Sequence, residues 1–141
     1  MDIAQLRKRV KTEIEHARRA AAERRERAKQ AARAYETFLD DMAVPAFRQL
    51  ANVLKAEGIP CEVQTPSGGV RLVSGRQRDD VIALELDGTP DPPQVVLSST
   101  RTWGGRVVQN ERAVKERTSI EHITEEDLLT RLLEEMRPWL A

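Results

Sequence analysis

The sequence has little of what most binding and catalytic sites require. Aromatic residues make up 4% of the chain, which leaves little surface on which bases or sugar rings could stack. There is a single cysteine, Cys61, so neither an internal disulfide nor a framework of cysteine metal ligands can form. His16 and His122 are the only histidines. We therefore expect no metal, no cofactor and a reducing compartment.

Long apolar runs are also missing. No run approaches the roughly 18 consecutive apolar residues of a membrane-spanning helix. The first residues, MDIAQLRKRVKTE, lack the apolar core of a secretory signal. These two absences predict a cytoplasmic protein that does not bind a membrane.

The net charge of zero conceals an asymmetry along the chain. Residues 7–33 contain eleven Lys and Arg against four Glu, a net charge of +7. Residues 119–141 contain two Arg against six acidic residues, a net charge of −4. Such an asymmetry indicates either charged partners or contact between the two ends of the chain.

Glycine and proline are absent from residues 2–42, where strong helix formers such as Ala, Arg, Glu, Lys and Gln dominate. A helix of this length is about 60 Å long. A domain of about 100 residues has a radius of gyration of only about 13 Å. We therefore predict that residues 1–43 form a long helix that partly protrudes, and that residues 44–141 form a compact domain.

Apolar residues recur along this helix on two alternating positions of a heptad. Arg7 and Arg24 are the only interruptions, and Leu6 lies beside the row. Sustained spacing of this kind is typical of a helix that pairs with another helix. We predict that the protein dimerises with itself, or binds a helix of another protein. The predicted seam comprises Ile3, Val10, Ile14, Ala17, Ala21, Ala28, Ala31, Tyr35 and Phe38.

The basic residues of the same helix leave two alternatives open. A charged helix face is most often simply solvated, and glutamates at helical spacing would neutralise part of it. The expected ion pairs are Glu15 with Arg18 and Arg19, Glu23 with Arg27, and Glu26 with Lys29. Alternatively the face binds nucleic acid, with phosphate contacts from Arg7, Lys11, Arg18, Arg25 and Lys29. No aromatic residue precedes Tyr35, so such binding would be weak and independent of sequence.

The compact part predicts an α+β domain. Pro45 should end or kink the long helix, and a short helix should follow as far as Gly58. Short runs of alternating apolar and polar residues then indicate an antiparallel meander of about four to six strands. Residues 110–118 fit either a strand or a helical turn, and we favour a strand. Helices should cover one sheet face, leaving the other polar with Glu62, Gln64, Arg71 and Glu85.

The last segment predicts an amphipathic helix packed on that covered face. Thr124 is a strong N-cap, and Asp127 three residues later completes a carboxylate version of the capping box. The apolar stripe of this helix comprises Leu128, Leu129, Leu132, Leu133, Met136 and Leu140. It should complete a core that contains Phe47, Leu50, Leu54, Val63, Leu72, Ile82, Leu84, Leu86, Val95 and Leu97.

No arrangement of residues predicts catalysis. His122 lies close to Glu125 and Glu126, but acidic residues at the start of a helix are explained by the helix dipole. The segments PSGGV and TWGGR lack the lysine and the spacing of a phosphate-binding loop. Trp103 belongs to the core or is an exposed contact residue. We therefore predict a non-enzymatic interaction module (an adaptor, a chaperone-like protein or an assembly subunit) with no small-molecule substrate.

Overall fold

A computed structural model describes Met1–Ala141 and contains three α-helices and five β-strands. The elements in chain order are α1 Ile3–Phe38, α2 Val44–Ala56, β1 Cys61–Gln64, β2 Gly69–Ser74, β3 Val81–Asp87, β4 Gln94–Trp103, β5 Arg106–Ala113 and α3 Glu125–Leu140. A short 3₁₀ turn, Ile120–His122, precedes α3. The predicted α+β class is confirmed.

Helices α1 and α2 are joined without a break. A single π-helical turn, Leu39–Ala43, connects them, and the N–H of Val44 donates to the carbonyl oxygen of Leu39, five residues earlier. Pro45 stands at the start of α2 directly after this turn. Because proline lacks an N–H, it is tolerated where the hydrogen-bond ladder has already been displaced by a wider turn. Pro45 therefore neither ends the helix nor separates α1 from α2.

Two predicted helix boundaries are confirmed. Gly58, just after α2, has a φ of +83°, a left-handed conformation that glycine adopts at little cost. At the start of α3, the hydroxyl of Thr124 accepts a hydrogen bond from the N–H of Asp127, whose carboxylate accepts one from the N–H of Thr124. Both signals act within a few residues, so the sequence alone was sufficient to locate them.

The five strands form one antiparallel sheet in the order β1-β2-β3-β4-β5. The register pairs Val63 with Leu72, Leu72 with Ile82, and Leu84 with Leu97, so these side chains share one face. That face packs on the helices and forms the core, whose fully buried side chains include Leu72, Ile82, Leu84 and Leu97. The opposite face presents the polar residues that the sequence predicted: Glu62, Gln64, Arg71 and Glu85.

The segment after β5 differs from the expected strand. The strand ends at Ala113, and the side chain of Val114 turns into the core while its N–H donates to the carbonyl oxygen of Val95. The chain then turns through Arg117, whose φ is +54°. The strand prediction for residues 110–118 is therefore right only up to Ala113.

Helix α3 buries a narrower stripe than predicted. Leu128, Leu132, Met136 and Trp139 are buried against the sheet. The parallel row one step around the helix remains partly exposed, with exposed fractions of 37% for Leu129, 40% for Leu133 and 45% for Leu140. A helix lying on a sheet buries one row of side chains, and the neighbouring row is covered only where another helix approaches. The prediction that all six residues face the core is wrong for these three.

Candidate protein-interaction site

The first part of α1 contacts no other element. Every residue from Ile3 to Ala20 is exposed, and we call this segment the arm. Its helix begins where it does because the carboxylate of Asp2 accepts a hydrogen bond from the N–H of Ala4 at 3.1 Å. At about 1.5 Å per residue the arm extends about 27 Å.

Four large apolar side chains lie exposed on one side of the arm. Their exposed fractions are 74% for Ile3, 49% for Leu6, 47% for Val10 and 42% for Ile14. Ala17 continues this row, which follows the three- and four-residue spacing of one helix side, and we call the five residues the stripe. A row of exposed apolar residues on a helix is a common feature of partner-binding surfaces. Leu6, which the heptad frame had set to one side, belongs to this surface.

The second part of α1 carries the same apolar period but packs on the protein itself. Ala31 is half-buried, and Tyr35 and Phe38 are 5% and 6% exposed. The hydroxyl of Tyr35 donates a hydrogen bond to the carbonyl oxygen of Gly68 at 2.7 Å. Burial, aided by the charge of Glu85, raises the pKa of Tyr35 to about 12. Three residues of the predicted seam (Ala31, Tyr35 and Phe38) therefore contribute to the core of the same chain.

An ion pair marks the junction between the two parts of α1. The guanidinium of Arg27 donates two hydrogen bonds to the carboxylate of Asp91, at 2.9 and 2.7 Å, from the loop between β3 and β4. This contact raises the pKa of Arg27 and lowers the pKa of Asp91. The pairing of Arg27 with Glu23 that the sequence suggested is not formed. Asp91 could not be chosen from the sequence, because it lies 64 residues from its partner.

The same loop forms a notch at the base of the arm. Ala21 and Ala28, two members of the predicted seam, line it on the helix side, and Pro90 and Pro93 line it on the loop side. Its volume is about 340 Å³. Ala21 is half-buried and Ala28 is exposed, so the floor of the notch remains accessible from outside.

The candidate phosphate-binding residues form one exposed row beside the stripe. They are Arg7, Lys11, Arg18, Arg25 and Lys29. Their spacing of four or seven residues places them on the same side of the helix. None of them forms an ion pair. The expected pairs of Glu15 with Arg18 and Arg19 and of Glu26 with Lys29 are not made. The side chains of this row are therefore not held in ion pairs within the helix.

The acidic side chains of α3 form their ion pairs with residues outside α1. Glu134 pairs with Arg112 at 3.2 Å, and Asp127 pairs with Lys115 at 3.2 Å. The side chain of Glu135 is 5% exposed and accepts hydrogen bonds from Ser99 and Asn110. No ion pair joins α3 to α1. The two ends nevertheless meet, because the 3₁₀ turn Ile120–His122 packs on α1, and Arg33 and Glu121 line the same pocket. Contact between the two charged ends, one of the two explanations of the asymmetry, is therefore made within a single chain by packing and not by an ion pair.

Trp103 is an exposed residue and not part of the core. It ends β4 with 71% of its surface exposed, and the guanidinium of Arg101 lies 5.9 Å from its ring centroid. Val107, close to it on β5, is 66% exposed. Trp139, by contrast, is 9% exposed and belongs to the core.

The side chains that could take part in catalysis or bind a metal occupy ordinary structural positions. His16 is exposed on the arm, and Nδ1 of His122 lies 2.7 Å from Oγ of Ser119 within the 3₁₀ turn. No third group holds the His122 ring by a hydrogen bond, as the base of a nucleophilic pair would require. Cys61 is buried, and burial raises the pKa of its thiol above its usual range. The structure contains no cluster of three or more His, Cys, Asp or Glu residues suited to a metal ion.

Comparison with known proteins does not place this chain in a family. Searches against protein families, curated proteins and solved structures find no match. None of the three helices combines the length and the apolar character needed to cross a membrane. The case for a function therefore depends on the surfaces described above.

Proposed function

We propose that the protein is a non-enzymatic, cytoplasmic interaction module that pairs its arm with a second copy of itself or with a helix of another protein. The observation that supports this proposal is the exposed stripe: Ile3, Leu6, Val10 and Ile14 lie on one side of a helix that its own domain leaves uncovered. A helix of this kind is stabilised when a second apolar helix covers the stripe.

The expected strength of this pairing follows from the area available. Burying a large aliphatic side chain completely contributes about 1.5–3 kcal/mol, so one that is already half-buried contributes about 1 kcal/mol. Four such residues on each of two arms give on the order of 8 kcal/mol before the cost of association, which is itself about 4–15 kcal/mol. At the low end of that cost the net is about 4 kcal/mol, so we expect weak association, with a dissociation constant of about 1 mM or above.

Light scattering over a range of protein concentrations tests self-association. The apparent mass should rise from one chain towards two as the concentration approaches the millimolar range. Ala21→Asp should suppress this rise, because it places a carboxylate beside the stripe where pairing would desolvate it. Ala22→Asp is the matched control, since it makes the same chemical change one residue away on the solvated side of the helix. A wild-type protein that stays monomeric at every concentration would refute self-association.

A second candidate function is supported by the basic row beside the stripe. The residues of this row are exposed, form no ion pairs and are aligned over about 33 Å of helix: Arg7, Lys11, Arg18, Arg25 and Lys29. Such a row suits the phosphates of a nucleic acid, which would be bound through charge alone. This candidate ranks second because the row offers no aromatic side chain and no base-reading element.

Salt dependence of binding to a DNA duplex distinguishes this second function. Five phosphate contacts predict that raising monovalent salt fourfold weakens binding by about 500-fold. Reversing two charges of the row, by Arg18→Glu together with Arg25→Glu, should abolish binding to the duplex at low salt. Glu15→Gln, which removes a negative charge, should strengthen it. Tight binding of one sequence that survives high salt would contradict the purely electrostatic mode.

A further inference from the structure

The apolar side chains of the arm become smaller from its tip to its base, and the notch lies at the base. The large side chains of the stripe (Ile3, Leu6, Val10 and Ile14) occupy the end far from the domain. Towards the base the same side of the helix continues with Ala17 and Ala21 and then reaches the notch between α1 and the loop of Pro90 and Pro93. A large tip and a small, recessed base have complementary shapes.

We propose that the partner of the arm is the arm of a second copy, paired antiparallel about a two-fold axis near Thr12, with the tip of each arm against the notch of the other chain. This inference rests on the proposed self-association and adds its geometry. Both interfaces are identical under the two-fold axis, so the assembly closes as a dimer and does not continue as a filament.

The layers of the seam favour the antiparallel arrangement. With the axis near Thr12, Ile3 faces Ala21 of the second copy, and Val10 faces Ile14. Arg7 then faces Ala17, and its aliphatic stem can lie over the small side chain while the guanidinium reaches water. A parallel pair would instead place Arg7 against Arg7 inside the seam and leave Ala17 and Ala21 facing their own copies, where little area is buried.

The charges on the arm support the same direction. In the antiparallel pair the basic run of residues 7–11 lies beside Glu13 and Glu15 of the second copy, whereas a parallel pair aligns that run with itself. A parallel pair would gain a contact between Glu13 and Arg18, but an exposed pair of this kind contributes little. It does not offset the repulsion of two Arg7 side chains held against each other in the seam.

The notch explains where the tip ends. In the antiparallel pair Asp2 reaches the level of Ala22 of the second copy, within side-chain reach of Arg25, which lines the notch. The loop wall of Pro90 and Pro93 stands just beyond that level. In a parallel pair the two notches would face each other at the same level, and neither would meet a tip.

Disulfide trapping in the full-length chain tests this geometry. Two chains form a disulfide only when the Cα atoms of their cysteines approach to about 4.4–6.8 Å. Ile3→Cys alone and Ala21→Cys alone should each give no disulfide-linked dimer under mild oxidation, whereas a mixture of the two should give a linked heterodimer. Wild-type protein, whose Cys61 is buried, is the control for background linkage.

The outcomes separate this inference from the proposed function when combined with light scattering. Linkage within each single variant, in a protein that is dimeric, would overturn the antiparallel geometry and leave self-association intact. A monomer at every concentration would overturn both. The notch has its own matched pair: Arg25→Ala should weaken the dimer about two- to fivefold, whereas Lys29→Ala, one turn beyond Arg25 and out of reach of the tip, should leave it unchanged. Equal effects of the two substitutions would refute the contact with Asp2.

Discussion

The two halves of α1 have the same apolar period and opposite surroundings. In the arm, Ile14 and the other large residues of the stripe are 42–74% exposed. In the half that packs on the domain, Tyr35 and Phe38 are 5% and 6% exposed, although they continue the same side of the helix. The difference arises from the sheet and the segment before α3, which reach the second half of α1 and not the first.

This comparison shows what an apolar period can and cannot predict. The period predicts that one side of a helix is suited to burial, since it repeats with the helical turn. It does not predict what covers that side, because the cover comes from residues distant in sequence, such as Gly68 and Ile120. One continuous row of apolar residues can therefore pack into the core of its own chain at one end and remain available to a partner at the other.

The largest expected effect is the loss of stability when the packed half is truncated to alanine. Phe38→Ala should lower the free energy of unfolding by about 3–5 kcal/mol, because it leaves a cavity in the core. Ile14→Ala, the matched change in the arm, should alter it by less than about 0.5 kcal/mol when the protein is dilute. Urea unfolding measures both, with an unchanged dependence on urea concentration as the check that the two states are the same. Similar losses for the two variants would mean that the arm packs on the domain.

Truncation from the amino-terminal side should locate the border between the two halves. Removing residues 1–20 should leave the unfolding free energy of the domain unchanged and abolish self-association. Removing residues 1–34 should also leave a cooperatively folded domain, but one destabilised by about 1–2 kcal/mol through the loss of half-buried Ala31 and Ala34. Thermal unfolding followed by circular dichroism gives both values. A sheet that unfolds in the longer deletion would make the helix a structural strut.

A smaller effect is the pH dependence of stability that Tyr35 gives to the packed half of α1. Tyr35 is the only tyrosine, and its pKa of about 12 in the folded chain exceeds the ordinary value of about 10. A group with a raised pKa contributes its stability fully below pH 10 and loses it as the pH rises from about 10 to about 12. Absorbance at alkaline pH should report a titration near pH 12 in the folded protein, moving to about 10 in urea.

Tyr35→Phe is the control for that titration. It should lower the unfolding free energy by about 0.5–1.5 kcal/mol at neutral pH, because the carbonyl of Gly68 loses its donor. It should also remove the extra loss of stability between pH 10 and 12. A stability that still falls over that interval by the same amount would assign the titration to other groups.

The smallest effect belongs to the junction. Arg27→Ala removes the exposed ion pair with Asp91 and should lower the midpoint of thermal unfolding slightly at low salt. The difference should disappear at high salt, since salt screens exposed charges. Arg19→Ala, an exposed arginine of the arm without an ion pair, is the matched control and should show no shift. A shift that persists at high salt would indicate that Arg27 contributes by packing.

Features that depend on a few neighbouring residues were predictable from the sequence. The capping box of Thr124 and Asp127, the helix stop at Gly58 and the meander of short strands all arise from local backbone and side-chain preferences. The exposed row of Leu129 and Leu133 was not predictable. The rotation of α3 about its own axis depends on which elements lie beside it, and that is a property of the assembled domain.

The candidate site was predictable in type and only partly in extent. The stripe could be predicted from the spacing of Ile3, Val10 and Ile14. Residues at this spacing lie on one side of the helix whether or not that side is covered. The base of the arm did not, since it is defined by Asp91 and a loop of prolines far along the chain. The same distance effect misassigned the charges: Arg27 pairs with Asp91 and not with the nearby Glu23.

The π-helical turn at Leu39–Ala43 has a mechanical consequence. Because the chain passes Pro45 without a break, the arm and α2 belong to one continuous helix, and α2 packs directly on β1 and β2. The arm is therefore a cantilever fixed to the sheet and not a tethered flexible segment. A partner bound at its tip would therefore be held at a distance and an angle from the domain that the length of the helix sets.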